Sequence, residues 1–303
     1  GSEMCIRDRD RIERGSWVFT PGIRYEDITQ ERINFGADPL DPSGRDASDI
    51  TSTRSNQEEF WIPGVGVLFE ASDSWSWLGG VHKGFSAPGN KQGVKAEESI
   101  NYEAGLRYRS AEMQIEAVAF FQDYENLQGN CTASSGSGCE IGDVFNGDAV
   151  SIPGMGLTLT RELAPGRDYS IPLQLAYTWM NARFDSDIAD SEFFGDVSEG
   201  DPVPYIPDQQ WFVSLGFEKG PWSSYLSGSY VDSVCTFASC GPFERTESAL
   251  TLDLAVHYRI TPSLELFSVL ENAGDELVIA GRQPYGARPG KSRSWILGAR
   301  LDF

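Results

Sequence analysis

ALTLDLAVHYRI, residues 249–260, repeats with a period of two. Leu250, Leu252, Leu254, Val256 and Tyr258 fall on one face of an extended chain, and Thr251, Asp253, Ala255, His257 and Arg259 on the other. SWILGARLDF, residues 294–303, behaves alike, setting Trp295, Leu297, Ala299, Leu301 and Phe303 against Gly298, Arg300 and Asp302. In residues 99–110, Ile100, Tyr102, Ala104, Leu106 and Tyr108 oppose Asn101, Glu103, Gly105, Arg107 and Arg109. Each run has about ten residues, enough to cross a bilayer as a tilted strand. Alternation by itself suits a water-soluble sandwich equally well. The ions and aromatics separate the two cases. Charges collect on the face a wet lumen would solvate, and Trp75, Trp77, Trp211, Trp222 and Trp295 stand near the ends of runs, where interfacial girdles sit.

Extended to the whole chain, the same reading predicts twelve strands: Trp17–Asp27, Phe60–Ser72, Trp75–Lys83, Ser99–Ser110, Met113–Tyr124, Ala149–Leu163, Ile171–Phe184, Gln209–Glu218, Trp222–Val231, Ala249–Ile260, Ser263–Asn272 and Ser294–Phe303. Their connections alternate. Asp73–Ser74, Ala111–Glu112, Ala164–Ser170, Lys219–Pro221 and Thr261–Pro262 are short. Between them lie Ile28–Glu59, Gly84–Glu98, Glu125–Asp148, Asp185–Asp208, Asp232–Ser248 and Ala273–Arg293, all long. Soluble β-domains scatter their long loops, whereas outer-membrane barrels keep short turns on the periplasmic rim and long loops outside. The expected fold is therefore all-β, a transmembrane antiparallel up-and-down β-barrel with about 12 strands present, its long loops extracellular.

Composition is consistent with this. The chain has 24 Lys and Arg against 45 Asp and Glu, a net charge of −21, and such a balance repels nucleic acid. Aromatics at 12% and charged residues at 23% are unlike a disordered chain. No apolar run approaches the roughly 20 residues of a membrane helix. A mean hydropathy of −0.33 leaves a membrane barrel open, because alternating strands average out polar.

Four of the five cysteines form two close pairs in Gly/Ser-rich long loops, Cys131 with Cys139 and Cys235 with Cys240. Local pairs in loops indicate disulfides in an oxidising space, since zinc sites favour tighter spacing with His nearby. Residues 1–16, GSEMCIRDRDRIERGS, are charged throughout and carry no apolar signal-peptide core. They resemble a cloning or assembly scar and are set aside from the fold, which leaves 17–303 as barrel.

Four further stretches resemble TonB-dependent outer-membrane receptors, in particular the ferric-citrate and siderophore branch. They are GVHKGFSAP (80–88) followed by EESINYEAGLRY (97–108), GDVFNGDAVSIPGMGLTLTREL (142–163), and the C-terminal LFSVLENAGDEL through PGKSRSWILGARLDF. The resemblance implies a 22-stranded barrel, of which this chain would be the C-terminal part. It also implies a plug domain carrying a TonB box, absent from this sequence, and a terminal aromatic, here Phe303, read by the insertion machinery. Partners implied are the lipid bilayer, lipopolysaccharide, an iron chelate as cargo and, through the missing N-terminal part, the TonB complex. No cofactor or nucleic acid is implied.

Chemistry by covalent catalysis is not expected. Histidine occurs only at His82 and His257, and neither a G-x-S-x-G elbow nor an H-E-x-x-H motif is present. Seven acids and no base lie in Asp185–Asp201, which reads as a solvated surface loop, without the spacing of a calcium loop. A negatively charged ferric chelate requires cations at the mouth. The last loop offers Arg282 and Arg288 with Tyr285 between them, beside Lys291 and Arg293; the loop after Trp75–Lys83 offers Lys91 and Lys95 with Phe85. Arg282, Arg288, Tyr285, Lys91 and Phe85 are thus the candidate ligand contacts, against pairing of such cations with acids of the chain. Two readings stay open beside receptor-mediated iron uptake: a complete 12-stranded passive channel or autotransporter translocator, and a 12-stranded hydrolase using His82 or His257. Closure of Trp17–Asp27 on Ser294–Phe303 would favour them, whereas free edges favour part of a larger barrel.

Overall fold

The computed structural model describes residues 2–36, 46–88, 94–130, 144–191, 195–282 and 286–302. One large antiparallel sheet dominates. Its main strands, in chain and spatial order, are β1 (Ser2–Arg9), β2 (Trp17–Phe35), β3 (Ile50–Glu70), β4 (Trp75–Ser86), β5 (Glu97–Arg109), β6 (Met113–Glu125), β7 (Val150–Glu162), β8 (Pro172–Met180), β9 (Gln209–Lys219), β10 (Trp222–Val231), β11 (Ala249–Thr261), β12 (Leu264–Glu271) and β13 (Ser294–Leu301). Every strand pairs with its sequence neighbour, the up-and-down pattern. The order is open: among the described residues no ladder joins β13 to β1 or β2, so the sheet does not close on itself. This removes the observation on which a complete 12-stranded barrel would rest.

Each of the twelve expected strands is present, β2 to β13, with three differences. Residues 2–14, set aside from the fold, are in the sheet: Ser2–Arg9 runs antiparallel to residues 22–29, and Ile12–Arg14 pairs with Trp17–Phe19. The expected long loop 28–59 is mostly ladder, because β2 and β3 stay paired from Trp17 with Phe69 out to Phe35 with Ile50. The expected strand to Phe184 stops at Met180. Arg183–Phe184 then turns back to pair with Val150–Ser151, which places Phe184 in the most buried part of the molecule, 1% exposed.

The registers line up one apolar face across the sheet. Leu173 opposes Leu215, Leu215 opposes Leu226, Leu226 opposes Leu254, Leu254 opposes Leu270, and Leu270 opposes Trp295. These side chains point away from the rest of the protein; Trp295 is 69% exposed and Leu297 68%. An apolar belt of this extent is unstable in water and suits a hydrocarbon surround. A strand of 13 residues rises about 43 Å, or roughly 33 Å when tilted by 40°, which matches a bilayer core.

The opposite face is polar and partly filled. Arg107 pairs with Glu116 through its Nε at 2.6 Å, His257 Nδ1 lies 3.0 Å from Glu265, and the Ser227 hydroxyl donates to Ser214. Gly154 opposes Phe120, and a Cβ at this glycine would collide with the Phe120 ring lying across it. On the short-turn rim, Lys219 and Trp222 pair across Gly220–Pro221, where Gly220 takes φ +55° and Pro fixes the next residue. Glu162 ends β7 at a longer turn. Its Oε1 accepts the Ala164 and Ile171 amides, both at 2.8 Å, and Oε2 accepts the Ser170 hydroxyl. Those donors hold the Glu162 carboxyl below its ordinary pKa, the Ser170 hydroxyl first.

Candidate functional site: the long-loop rim

The buried core lies at the long-loop end. Val150 and Ile152, on the inner face of β7, pack with Ala182, Phe184, Val197, Val203 and Ala238, so two connections fold inward over the wall. Burying this cluster anchors the two connections to a wall whose outward apolar rows meet hydrocarbon.

Polar staples join the connections to one another. The loop between β8 and β9 meets the β10–β11 loop where the Tyr205 amide donates to the Cys235 carbonyl at 2.9 Å. The last loop joins both, since the Arg282 amide donates to the Tyr205 hydroxyl at 3.3 Å and its Nε to the Arg245 carbonyl at 2.5 Å. Glu247 and Ile279 are linked twice, amide to carbonyl at 3.1 Å and amide to carboxylate at 2.8 Å. On the other side, Asn146 acts as a peptide would: its Oδ1 accepts the Lys95 amide and its Nδ2 donates to the Lys95 carbonyl, at 2.7 and 2.8 Å.

Two devices stiffen this arrangement. Cys235 and Cys240 are disulfide-bonded at the end of a small hairpin, in which Val234 pairs with Thr246 and Thr236 with Glu244. Asn272, 1% exposed with φ +47°, fixes the start of the last loop. Its Nδ2 donates to the Glu276 and Lys291 carbonyls and its Oδ1 accepts the Glu276 amide, each at 2.9 Å. Asn is among the few residues that tolerate this left-handed backbone.

The cations of the last loop are largely engaged. Lys291 lies 2.5 Å from Glu271 and Arg293 3.3 Å from Asp275, while Arg282 holds the Arg245 carbonyl. Arg288 is exposed on a short ribbon, Ile279–Gly281 against Arg288–Pro289. Phe85 stacks on the buried Phe60 with centroids 4.3 Å apart. Tyr285, Lys91, Phe303 and the pair Cys131 and Cys139 lie outside the described residues. Of the acidic loop, Asp185 accepts the Ser151 hydroxyl, Asp187 the Glu199 amide and Asp201 the Ser198 amide. No group of three potential metal ligands comes together among the described residues. His82 and His257 lie on the inner face; His257 stands opposite Ser223 in the ladder, and its Nδ1 hydrogen-bonds with the Glu265 carboxylate.

Residues 9–273 match the family model for the TonB dependent receptor-like β-barrel. The chain belongs to this family. TonB-dependent receptor barrels are outer-membrane proteins, which accounts for the outward apolar belt, and they are receptors and transporters rather than enzymes. Among solved structures, the siderophore receptor PiuA from Acinetobacter baumannii is similar with a TM-score of 0.78 at 17% identity, over 99% of this chain and 43% of its own. The ferric-catecholate import receptor Fiu from E. coli K12 gives 0.76 at 17%, over 99% and 44%. The ferric citrate transporter FecA gives 0.76 at 17%, over 98% and 44%. This receptor barrel thus spans less than half the length of the structures it matches, and its open sheet is the form expected of such a portion.

Sequence reasoning missed Tyr205, Arg245, Asn272 and Asn146 as organisers of the rim. Only Asn272 carried a local signal, the turn-forming run Asn-Ala-Gly-Asp after a strand. The others act on residues far away in sequence.

Proposed function

We propose that this chain is the C-terminal part of an outer-membrane receptor for TonB-energised uptake of a ferric chelate, citrate or siderophore, with the long-loop rim facing outward. The observation that carries the reading is the rim itself: separate connections stapled into one preorganised surface over a polar inner face. Rigid display of this kind lowers the ordering cost of binding a small anion. Arg288 and Arg282, with Tyr285, would face the chelate from the last loop, Phe85 from the end of β4 and Lys91 from the loop after it. Guanidinium groups suit carboxylate or catecholate oxygens because they donate in a planar fork. Passage involves binding and gating without covalent chemistry. Coupling to TonB would come from an N-terminal part outside the portion matched here.

The test is uptake of ⁵⁵Fe-loaded citrate and siderophores by cells whose only receptor is the full-length protein. Reversing charge at both Arg282 and Arg288 should raise the half-saturating concentration by at least about tenfold, the loss of one to two charge-assisted contacts. Unchanged uptake of every chelate that the wild type imports would refute the assignment of these residues. Absence of any iron uptake by the wild type would refute the function.

A further inference from the structure

We propose that the Cys235–Cys240 disulfide is a thiol-exchangeable latch of the rim, opened by attack of a low-molecular-weight thiol on Cys240 and activated by Arg245. The guanidinium of Arg245 spans the bond: its Nε lies 3.0 Å from Cys240 Sγ and its Nη2 3.5 Å from Cys235 Sγ. A positive charge at a sulfur lowers the cost of a thiolate there, and a better leaving thiolate departs faster; Arg245 reaches both sulfurs and assists whichever leaves, so access decides which is attacked. The structure distinguishes the two sulfurs. Cys235 is 5% exposed and its backbone is bridged to Arg245 and bonded to Tyr205. Cys240 is half-buried at the end of a turn, its amide bonded to the Phe237 carbonyl at 3.2 Å, and is held at φ +48°, a left-handed conformation that costs a non-glycine residue about 1 kcal/mol.

The step balances. The attacking thiolate forms a bond to Cys240 Sγ, the Cys235–Cys240 bond breaks, and Cys235 leaves with the electron pair as a thiolate under Arg245 Nη2. A second thiol then resolves the mixed disulfide at Cys240, so two thiols supply the two electrons and leave as one external disulfide. The consequence reaches beyond the hairpin. The Cys235 carbonyl holds the Tyr205 amide, the Arg245 carbonyl holds Arg282 Nε, and Glu247 holds Ile279, so opening the bond loosens the attachment of two further loops. This latch is independent of which ligand the rim binds.

The experiment treats full-length receptor in detergent micelles with glutathione at neutral pH, quenches by alkylation, and reads adducts and opening rates by mass spectrometry. Glutathione should be found on Cys240; an adduct on Cys235 overturns the proposal, and this measurement needs only the wild type. Arg245→Gln should slow opening about tenfold, while Arg245→Lys stays within about threefold because it keeps the charge. An unchanged rate in Arg245→Gln overturns the activation. Amide exchange at Tyr205 and Ile279 should rise at least tenfold in the opened protein; unaltered exchange overturns the latch.

Discussion

Replacing Asn272 by Ala should release the last loop. The side chain makes three hydrogen bonds inside a site that excludes water, two to carbonyls and one from an amide. At about 1 kcal/mol each, their loss costs about 3 kcal/mol. Alanine at φ +47° adds about 1 kcal/mol of backbone strain that Asn largely escapes. A local penalty of 3–4 kcal/mol corresponds to roughly two to three decades in the opening equilibrium. The assay is hydrogen exchange of the full-length receptor in micelles, read at Gly290 and Ile279. These amides bond to the Val278 carbonyl and the Glu247 carboxylate and do not touch Asn272. Their exchange should quicken about a hundredfold or more. Asn272→Gly keeps the backbone conformation accessible and removes the same bonds, so it should fall short of Ala by about one decade or less. Protection at both amides within threefold of wild type in Asn272→Ala would refute the idea that this residue anchors the loop.

Gly154→Ala forces the Phe120 ring off the inner face and should cost about 1–3 kcal/mol in equilibrium refolding into lipid vesicles, while Gly156→Ala, where a Cβ meets open space, should cost less. Leu226→Arg places a charge amid the lipid-facing row and should cost about 2–4 kcal/mol in the same assay; Thr158→Gln, at an exposed inner-face position, should be tolerated. Glu162 sits at a turn outside the bilayer with its pKa depressed in the folded state. Its contribution is therefore present above the unfolded value near 4.3 and is lost as pH falls through the lower folded value. Protection of the Ala164 and Ile171 amides, corrected for intrinsic exchange, should hold down to the ordinary carboxylate range and fall only below it, and Glu162→Gln should abolish that dependence.

Strands β4 to β13 were legible because one face meets lipid and the other a wet interior, which prints a period of two on the sequence. The signal vanishes where that asymmetry ends. TSTRSNQEE, residues 51–59, reads as loop, yet it continues β3 as a ladder with β2. Beyond the bilayer both faces of a hairpin are wet, so no side is required to be apolar. Phe184 gave the opposite error. Its alternation suggested a longer strand, but the exposed inner face of Val150 and Ile152 needed cover, and the chain folded back to supply it. The Cys235–Cys240 bond was legible because its partners are five residues apart, a separation at which loop closure is easily met.

The sequence by itself determined the order of strands β2 to β13, which rim has the long loops and which side chains face outward. Each follows from local alternation and spacing, and local pattern needs no knowledge of distant partners. The tertiary structure alone decided which loops are tied together, that Arg282 reaches the Arg245 carbonyl, that Asn146 pairs with Lys95, and that the sheet remains open. Those outcomes depend on groups that meet only after the strands have taken their register, and nothing in the neighbouring residues of either partner records the meeting.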